Sequence, residues 1–224
     1  MSTISIETLE RLKTYDSPTI ANAIEKFAVR PDTAGYTGPE IRCLFPEQGV
    51  LLGYAVTAVM GPREVGETSW RDGWLSFTQA METGPKPAVC VIEDHPLWPM
   101  QAALVGEVMA TVMQSLGALG CITNGAVRDI DQVHALGFQY HAAGVIVSHG
   151  QIKFHAVSGP VRLGRVEVRP GDLLHADVNG VVVIPLEIAD RIPDAADTIL
   201  SREAEIMDAV RAPGFKAADL RCFY

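Results

Sequence analysis

The sequence predicts an α/β fold with mixed sheets. Short apolar runs alternate with helix-period segments through the middle of the chain, a turn-punctuated β-rich stretch covers 161–185, and helices flank both ends. A purely parallel sheet would not need that β-rich stretch. At 224 residues the chain suits one domain, 1–224, with N-terminal helices over 1–28 and C-terminal helices over 186–212.

Taken in order, residues 4–13 and 17–28 read as two short helices. In the second, Ser17 is placed to cap and Pro18 to sit at the first helical position, while Ile20, Ala23, Ile24 and Phe27 recur at helical spacing. Positions 29–49 are rich in Pro, Gly and single charges and read as an irregular connection. Gly49 to Met60 is β-like, with a glycine where a bulge or turn could fall. The stretch 61–74 is loop-like and leads into a helix near WLSFTQAME; Trp70 and Trp74 in it read as packing anchors rather than stacking platforms for bases.

Ala88 to Glu93 is a buried-strand pattern followed by Asp94 and His95, which could border a pocket. Val108, Met109, Val112, Met113 and Leu116 keep helical spacing, and Gly117 can close that helix. Gly120–Thr123 is the next strand, with Asn124-Gly125 starting its exit loop. Ile130, Val133 and Leu136 suggest a short helix ending at Gly137, and Val145–Ser148 another strand. Pro170-Gly171-Asp172 and Asn179-Gly180 mark turns, Val181–Ile184 is the most apolar strand, and from Leu186 the pattern is helical, with Pro193 able to start a second segment.

Composition removes several classes of function. A formal charge of −9 without a compensating basic run excludes a nucleic-acid footprint. No apolar stretch approaches the about 18 residues that cross a bilayer, and the N-terminus lacks the pattern of a signal peptide, so the expected location is cytoplasmic with no membrane partner. Cys43, Cys90, Cys121 and Cys222 form no CxxC; Cys90 and Cys121 sit in apolar runs as buried free thiols. His141, His149, His155 and His175 match no zinc spacing and are assigned structural or loop roles. Ser148-His149-Gly150 lacks a hydrolase elbow, no GxGxxG follows a strand, and Asp177-Val178-Asn179-Gly180 is a hairpin turn rather than a calcium loop.

Chemistry concentrates between Gly106 and Asp129. Gly106-Glu107 opens a helix, whose first turn leaves N–H groups unpaired beside partial positive charge; the amides of Glu107, Val108 and Met109 can therefore grip a carboxylate. Arg128-Asp129 follows a strand. A guanidinium is a planar fork matched to a carboxylate, and Asp offers hard oxygen to a divalent cation. The plainer alternatives are a favourable acidic residue in a first turn, and an Asp that caps the helix at Ile130 while Arg128 forms a surface ion pair.

NGAVRD, preceded by Gly106-Glu107, a helix of this length and a GALG turn, resembles the RraA-like family, which includes the 4-hydroxy-4-methyl-2-oxoglutarate (HMG) aldolases. DSPTIANAIE, GYAVTAV, GVIVSHG and RPGDLLHADVNGVVVIP extend the resemblance over most of the chain. The resemblance implies a swivelling β/β/α (phosphohistidine-domain-like) fold and a class II, divalent-metal-dependent aldolase that releases pyruvate from 4-hydroxy-2-oxo acids, with oxaloacetate decarboxylase activity. It implies that Asp129 binds Mg²⁺ or Mn²⁺ largely through waters, that Arg128 holds a small keto-acid substrate, and that the amides after Glu107 complete the grip. It further implies homotrimers or dimers of trimers (hexamers), with an acidic residue of a neighbouring subunit, Glu203 or Glu205, beside the metal-bound water. Enzymes of the group carry Asp where this chain has Glu107, so the acid/base step and the substrate can differ from HMG. The family also implies two alternatives: a non-catalytic regulator that inhibits a ribonuclease by protein contact, and an aldolase-like enzyme for a sugar-derived acid.

Overall fold

A computed structural model describes residues 4–63, 70–97 and 99–223. The chain opens with helices α1 (Ile6–Leu12) and α2 (Ser17–Glu25), then a two-residue strand β1 (Arg42–Cys43) and the long strand β2 (Leu51–Pro62). Helix α3 (Trp70–Thr83) starts four residues earlier than the pattern suggested; the centre of the preceding loop, 64–69, lies outside the described residues. The middle of the chain runs β3 (Ala88–Asp94), β4 (Ala103–Val105), α4 (Glu107–Ser115), β5 (Ala118–Thr123), β6 (Ala126–Val127), α5 (Ile130–Ala135), β7 (Gln139–Ala142) and β8 (Gly144–Val145). The β-rich part is β9 (Ile152–Val157), β10 (Val161–Leu163), β11 (Val166–Val168), β12 (Leu173–Asp177) and β13 (Gly180–Ile184), and the chain then turns into α6 (Ile192–Arg211).

Eight strands form one mixed sheet in the order β1-β7-β5-β3-β2-β12-β13, with β9 also on β2. Strands β2, β3, β5 and β7 run parallel, and β1, β9, β12 and β13 join antiparallel. The expected mixed α/β class is therefore the observed one. Its parallel strands are largely buried, as strands covered on both faces are, with Leu119 of β5 the exposed position. Helices cover one face: α3, α4 and α5 pack over Val56, Ala58, Cys90 and Ile92, whereas α1, α2 and α6 pack over Leu52, Tyr54, Val182 and Ile184. The β10–β11 hairpin covers the other face through Val161, Leu163, Val166 and Val168, against Val89 and Val91. No helix among the described residues is long and apolar enough to cross a membrane.

Local chemistry explains most boundaries. Asp16, not Ser17, caps α2: its carboxylate accepts the Thr19 N–H at 2.8 Å, which puts Ser17 and Pro18 inside the first turn. The Ser17 hydroxyl is instead used in the core, 2.9 Å from His175 Nδ1. Gly117, at φ +88, closes α4 as expected, because only a residue without Cβ adopts that backbone without strain. Gly53 marks no bulge; the register shift in β2 falls between Val59 and Met60, opposite β9. The strand expected over Val145–Ser148 is displaced to β7 and β8, since pairing with β5 and β6 recruits Gln139–Val145 instead.

Lys86 ties two helix ends together, its ammonium donating to Met81 O near the end of α3 and to Leu116 O, the cap of α4, at 2.6 Å. Carbonyls at helix C-termini lack intrahelical partners and carry partial negative charge, so a cation there stabilises both. Lys86→Met is expected to lower stability by ~1–2 kcal/mol, read as a shift of the urea midpoint at unchanged slope.

His141 and His175 are fully buried. His141 Nε2 lies 3.0 Å from Asp177 O, and His175 Nε2 lies 3.2 Å from Leu12 O, so both are structural, as expected. Burial pushes both imidazoles below their ordinary value of 6.5, with Asp177 opposing it. The neutral forms are the ones the fold accommodates, so the stability they support is complete above the unfolded value and is lost as the pH falls from there through the folded values. Each contributes up to about 1.4 kcal/mol of slope per pH unit. Asp94 and Asp172, raised by burial, act in the opposite sense nearer pH 4. Thermal midpoints measured between pH 7.5 and 5 should therefore fall, and His141→Gln should flatten the decline.

Candidate functional site

The site is built by strands too short to read in the sequence. β4, β6 and β8 form a separate parallel sheet in which Val105 pairs with Val127, and Val127 with Val145. Parallel strands in register end at the same level. Each releases its following segment at one place: Gly106 and α4 after β4, Arg128-Asp129 after β6, and the 146–151 segment after β8. The Arg128 N–H donates to Val105 O at 3.0 Å, locking the first two exits together.

At that junction Asp129 Oδ2 accepts the Glu107 N–H at 2.8 Å and stands 3.5 Å from Arg128 Nε. Asp129 is the residue before α5, in left-handed backbone (φ 58, ψ 47), and its side chain makes no cap to that helix. Its carboxylate thus turns back to the start of α4, so the simple-cap alternative does not hold. The Arg128–Asp129 pair is only about one-third exposed, at 35% and 33%. Of the three amides expected to grip an anion, that of Glu107 is already taken by Asp129. The first α4 amide bonded in helical fashion is that of Ala110, to Gly106 O, which leaves the Val108 and Met109 N–H groups without a partner among the described residues.

A cavity of about 570 Å³ opens beside this junction, lined by Gly106, Val108, Met109 and Arg128 together with Arg63, Trp70, His149 and Ile152. Val108 is 77% exposed, because Ala110 and Met113 make the packing face of α4. Trp70 does anchor packing, stacked on Trp74 at 6.0 Å and tilted against Phe154 at 5.4 Å, but it is also a cavity wall. Arg63, Trp70 and His149 were not singled out for the site by sequence reasoning; they come from distant segments and carry no local motif. His149 lies on a loop, as expected, and from there also stands in the wall.

Asp94 and His95 are not among the residues lining the cavity. Asp94 is 4% exposed, its Oδ2 accepts the Met100 N–H at 2.6 Å, and burial pushes its carboxyl up. His95 rests on His155, ring centres 4.3 Å apart. The Glu107 carboxylate is exposed and likewise outside the lining, so its backbone, rather than its side chain, is what the junction uses directly. Glu203 and Glu205 are exposed on α6, where Glu205 pairs with Arg202 at 3.3 Å, and α6 packs on α2 in a separate core cluster. These two glutamates are not brought to the junction within one chain.

The donor set fits a hard, largely hydrated divalent cation. Among the described residues no three His, Cys, Asp or Glu side chains gather as a cage. Asp129 Oδ1, however, takes no hydrogen bond there while Oδ2 is held by Glu107 and Arg128, which leaves one oriented carboxylate oxygen. A single carboxylate with waters is how Mg²⁺ is commonly held.

Comparisons with known proteins bear on the fold and the family. Over 205 residues the chain is 23% identical to protein DlpA of Legionella pneumophila, spanning 90% of this chain and 31% of that protein. Over 128 residues it is 30% identical to a Halalkalibacterium halodurans protein named "Putative 4-hydroxy-4-methyl-2-oxoglutarate aldolase", spanning 57% of this chain and 60% of that one. The chain thus spans less than two-thirds of the length of either curated relative. Among solved structures, an uncharacterized protein from Pseudomonas syringae pv. tomato superposes with a TM-score of 0.78 at 20% identity, covering 100% of this chain and 96% of that one. RraAS2 of Streptomyces coelicolor, described as an unusual member of the RNase ES inhibitor RraA family, gives 0.72 at 23% identity, covering 92% and 100%. Both likenesses establish the fold. The family model described as "RraA-like: Aldolase/RraA" matches residues 17–183, three-quarters of the sequence, and on that match the chain belongs to the RraA-like family.

Proposed function

We propose that the protein is a divalent-metal-dependent carbon–carbon lyase that cleaves a 4-hydroxy-2-oxo acid to pyruvate and decarboxylates oxaloacetate. One observation carries the reading: the register of β4 with β6 brings an unpaired helix start and a guanidinium into the wall of one cavity, with the Asp129 carboxylate behind them, bound to the Glu107 N–H and 3.5 Å from Arg128 Nε. Cleavage of the C3–C4 bond leaves negative charge spread from C3 to the keto oxygen, and groups aimed at that charge are where an active site lowers a barrier most. Arg128 binds the substrate carboxylate and faces the developing charge, and the Val108 and Met109 amides hold the other carboxylate oxygen. Asp129 would hold Mg²⁺ or Mn²⁺, which supplies Lewis-acid stabilisation of the keto oxygen when bound. Glu107 carries the proton for C3 by way of water, since its side chain lies outside the cavity wall.

A neighbouring subunit of a trimer or hexamer supplies Glu203 or Glu205 in this reading, because neither reaches the junction within one chain. The test is incubation with oxaloacetate and Mg²⁺ or Mn²⁺. Pyruvate release that stops with chelator and returns with added metal is the expected result. Inertness with both metals, and with 4-hydroxy-2-oxo acids including sugar-derived ones, favours instead a contact regulator of a ribonuclease, the activity in the description of the RraAS2 family.

A further inference from the structure

We propose, resting on the lyase reading above, that the substrate is a 2-oxo acid bearing an aryl group at C4, seated against Trp70 while Arg128 holds its carboxylate. The cavity of about 570 Å³ is of the size that encloses drug-like ligands, far more than pyruvate fills. Its wall carries the apolar side chains of Trp70, Leu104, Val108, Met109 and Ile152 beside the polar Arg63, Arg128, His149 and Gln151. Val108 adds a direct argument. At 77% exposure it packs little within α4, and it lines the cavity one residue from the Glu107 amide that binds Asp129. Trp70 is fixed in advance by Trp74 and Phe154, with ring centres 6.0 Å and 5.4 Å away, so an incoming ring meets a preset aromatic surface. The other guanidinium of the wall, Arg63, is engaged by Gln151 Oε1 at 3.2 Å.

The reaction balances without oxidant or reductant. The C4 hydroxyl gives up its proton as its bonding pair becomes the carbonyl of an aryl aldehyde, the C3–C4 bond breaks with its pair moving to C3, and C3 takes a proton to give pyruvate.

Calorimetric titration of the Mg²⁺-loaded protein with 4-phenyl-2-oxobutanoate tests the assignment, because this ligand lacks the C4 hydroxyl and cannot be cleaved. Binding at least tenfold tighter than pyruvate and tighter than the dicarboxylate 2-oxoglutarate is the expected result. Trp70→Ala and the bulk-retaining Trp70→Leu should each reduce the phenyl-to-pyruvate ratio below threefold. Phenyl binding equal to or weaker than either comparison ligand in the wild-type protein overturns the assignment, whatever the variants do. Cleavage assays separate the two readings: pyruvate released from 4-hydroxy-2-oxopentanoate but not from 4-hydroxy-2-oxo-4-phenylbutanoate sinks the aryl substrate and leaves the lyase. Tight phenyl binding with no pyruvate from either compound sinks the lyase and keeps the aryl pocket.

Discussion

Arg128→Ala is expected to lower pyruvate release from oxaloacetate by about 10²–10³-fold, the loss that follows removal of one charge-stabilising donor at a reacting oxygen. The guanidinium is set up for this by its surroundings. Its backbone is pinned to Val105 O, its Nε stands 3.5 Å from Asp129, and its side chain is two-thirds covered beside the cavity. Removing it also leaves the Asp129 carboxylate with the Glu107 N–H as its one partner among the described residues. Arg128→Lys should recover little, because a point charge does not reproduce a two-pronged contact with a carboxylate. Steady-state rates at saturating metal check both variants, and a loss under threefold in the alanine variant would remove Arg128 from the reaction.

Gly106→Ala should cost about 10²-fold in the same assay while leaving the fold intact. The backbone of Gly106, at φ −134 and ψ −173, is ordinary extended geometry open to any residue, so its conformation is not the obstacle. Space is. A Cβ built there lies 2.5 Å from Asp129 Oδ2 and 2.8 Å from Arg128 Nε, both far inside contact distance. One of those groups must move, and a displacement of about 1 Å in a positioning group can cost 10²-fold in rate. Unchanged thermal unfolding with a collapsed rate is the expected pair of results. A variant that keeps full activity would mean that the Glu107–Asp129–Arg128 arrangement is not what reacts.

Long, strongly patterned elements were legible from the chain. The Val181–Ile184 strand, the β2 run, the α4 stripe closed by Gly117 and the helix after Pro193 all announce themselves by period or by terminal chemistry. The pair of sequence neighbours at Arg128-Asp129 and the helix mouth at Gly106 were legible as a motif. What was not legible is why they meet. Strands β4, β6 and β8 hold two or three residues each, too few for any alternation to register, and Ala103-Leu104-Val105 or Ala126-Val127 become strands only because each finds the next. The cavity wall was hidden for a related reason. Trp70, Arg63 and His149 carry no shared spacing, and only tertiary folding makes them neighbours. Ser17 failed as a cap because Asp16, one residue earlier, competes better for the Thr19 amide, and the core offered the hydroxyl a histidine.

The left-handed backbone of Asp129 narrows what heredity can tolerate there. In the lyase reading one residue must supply both a negative oxygen and a bend that most side chains resist, and the two demands overlap in very few amino acids. Asparagine inherits the bend without the charge, glycine keeps the bend and loses the oxygen, and glutamate offers the oxygen on a chain that resists the bend. Descendants of this sequence that abandon the chemistry should therefore drift first to asparagine or glycine at this position, leaving the architecture standing around a silent site.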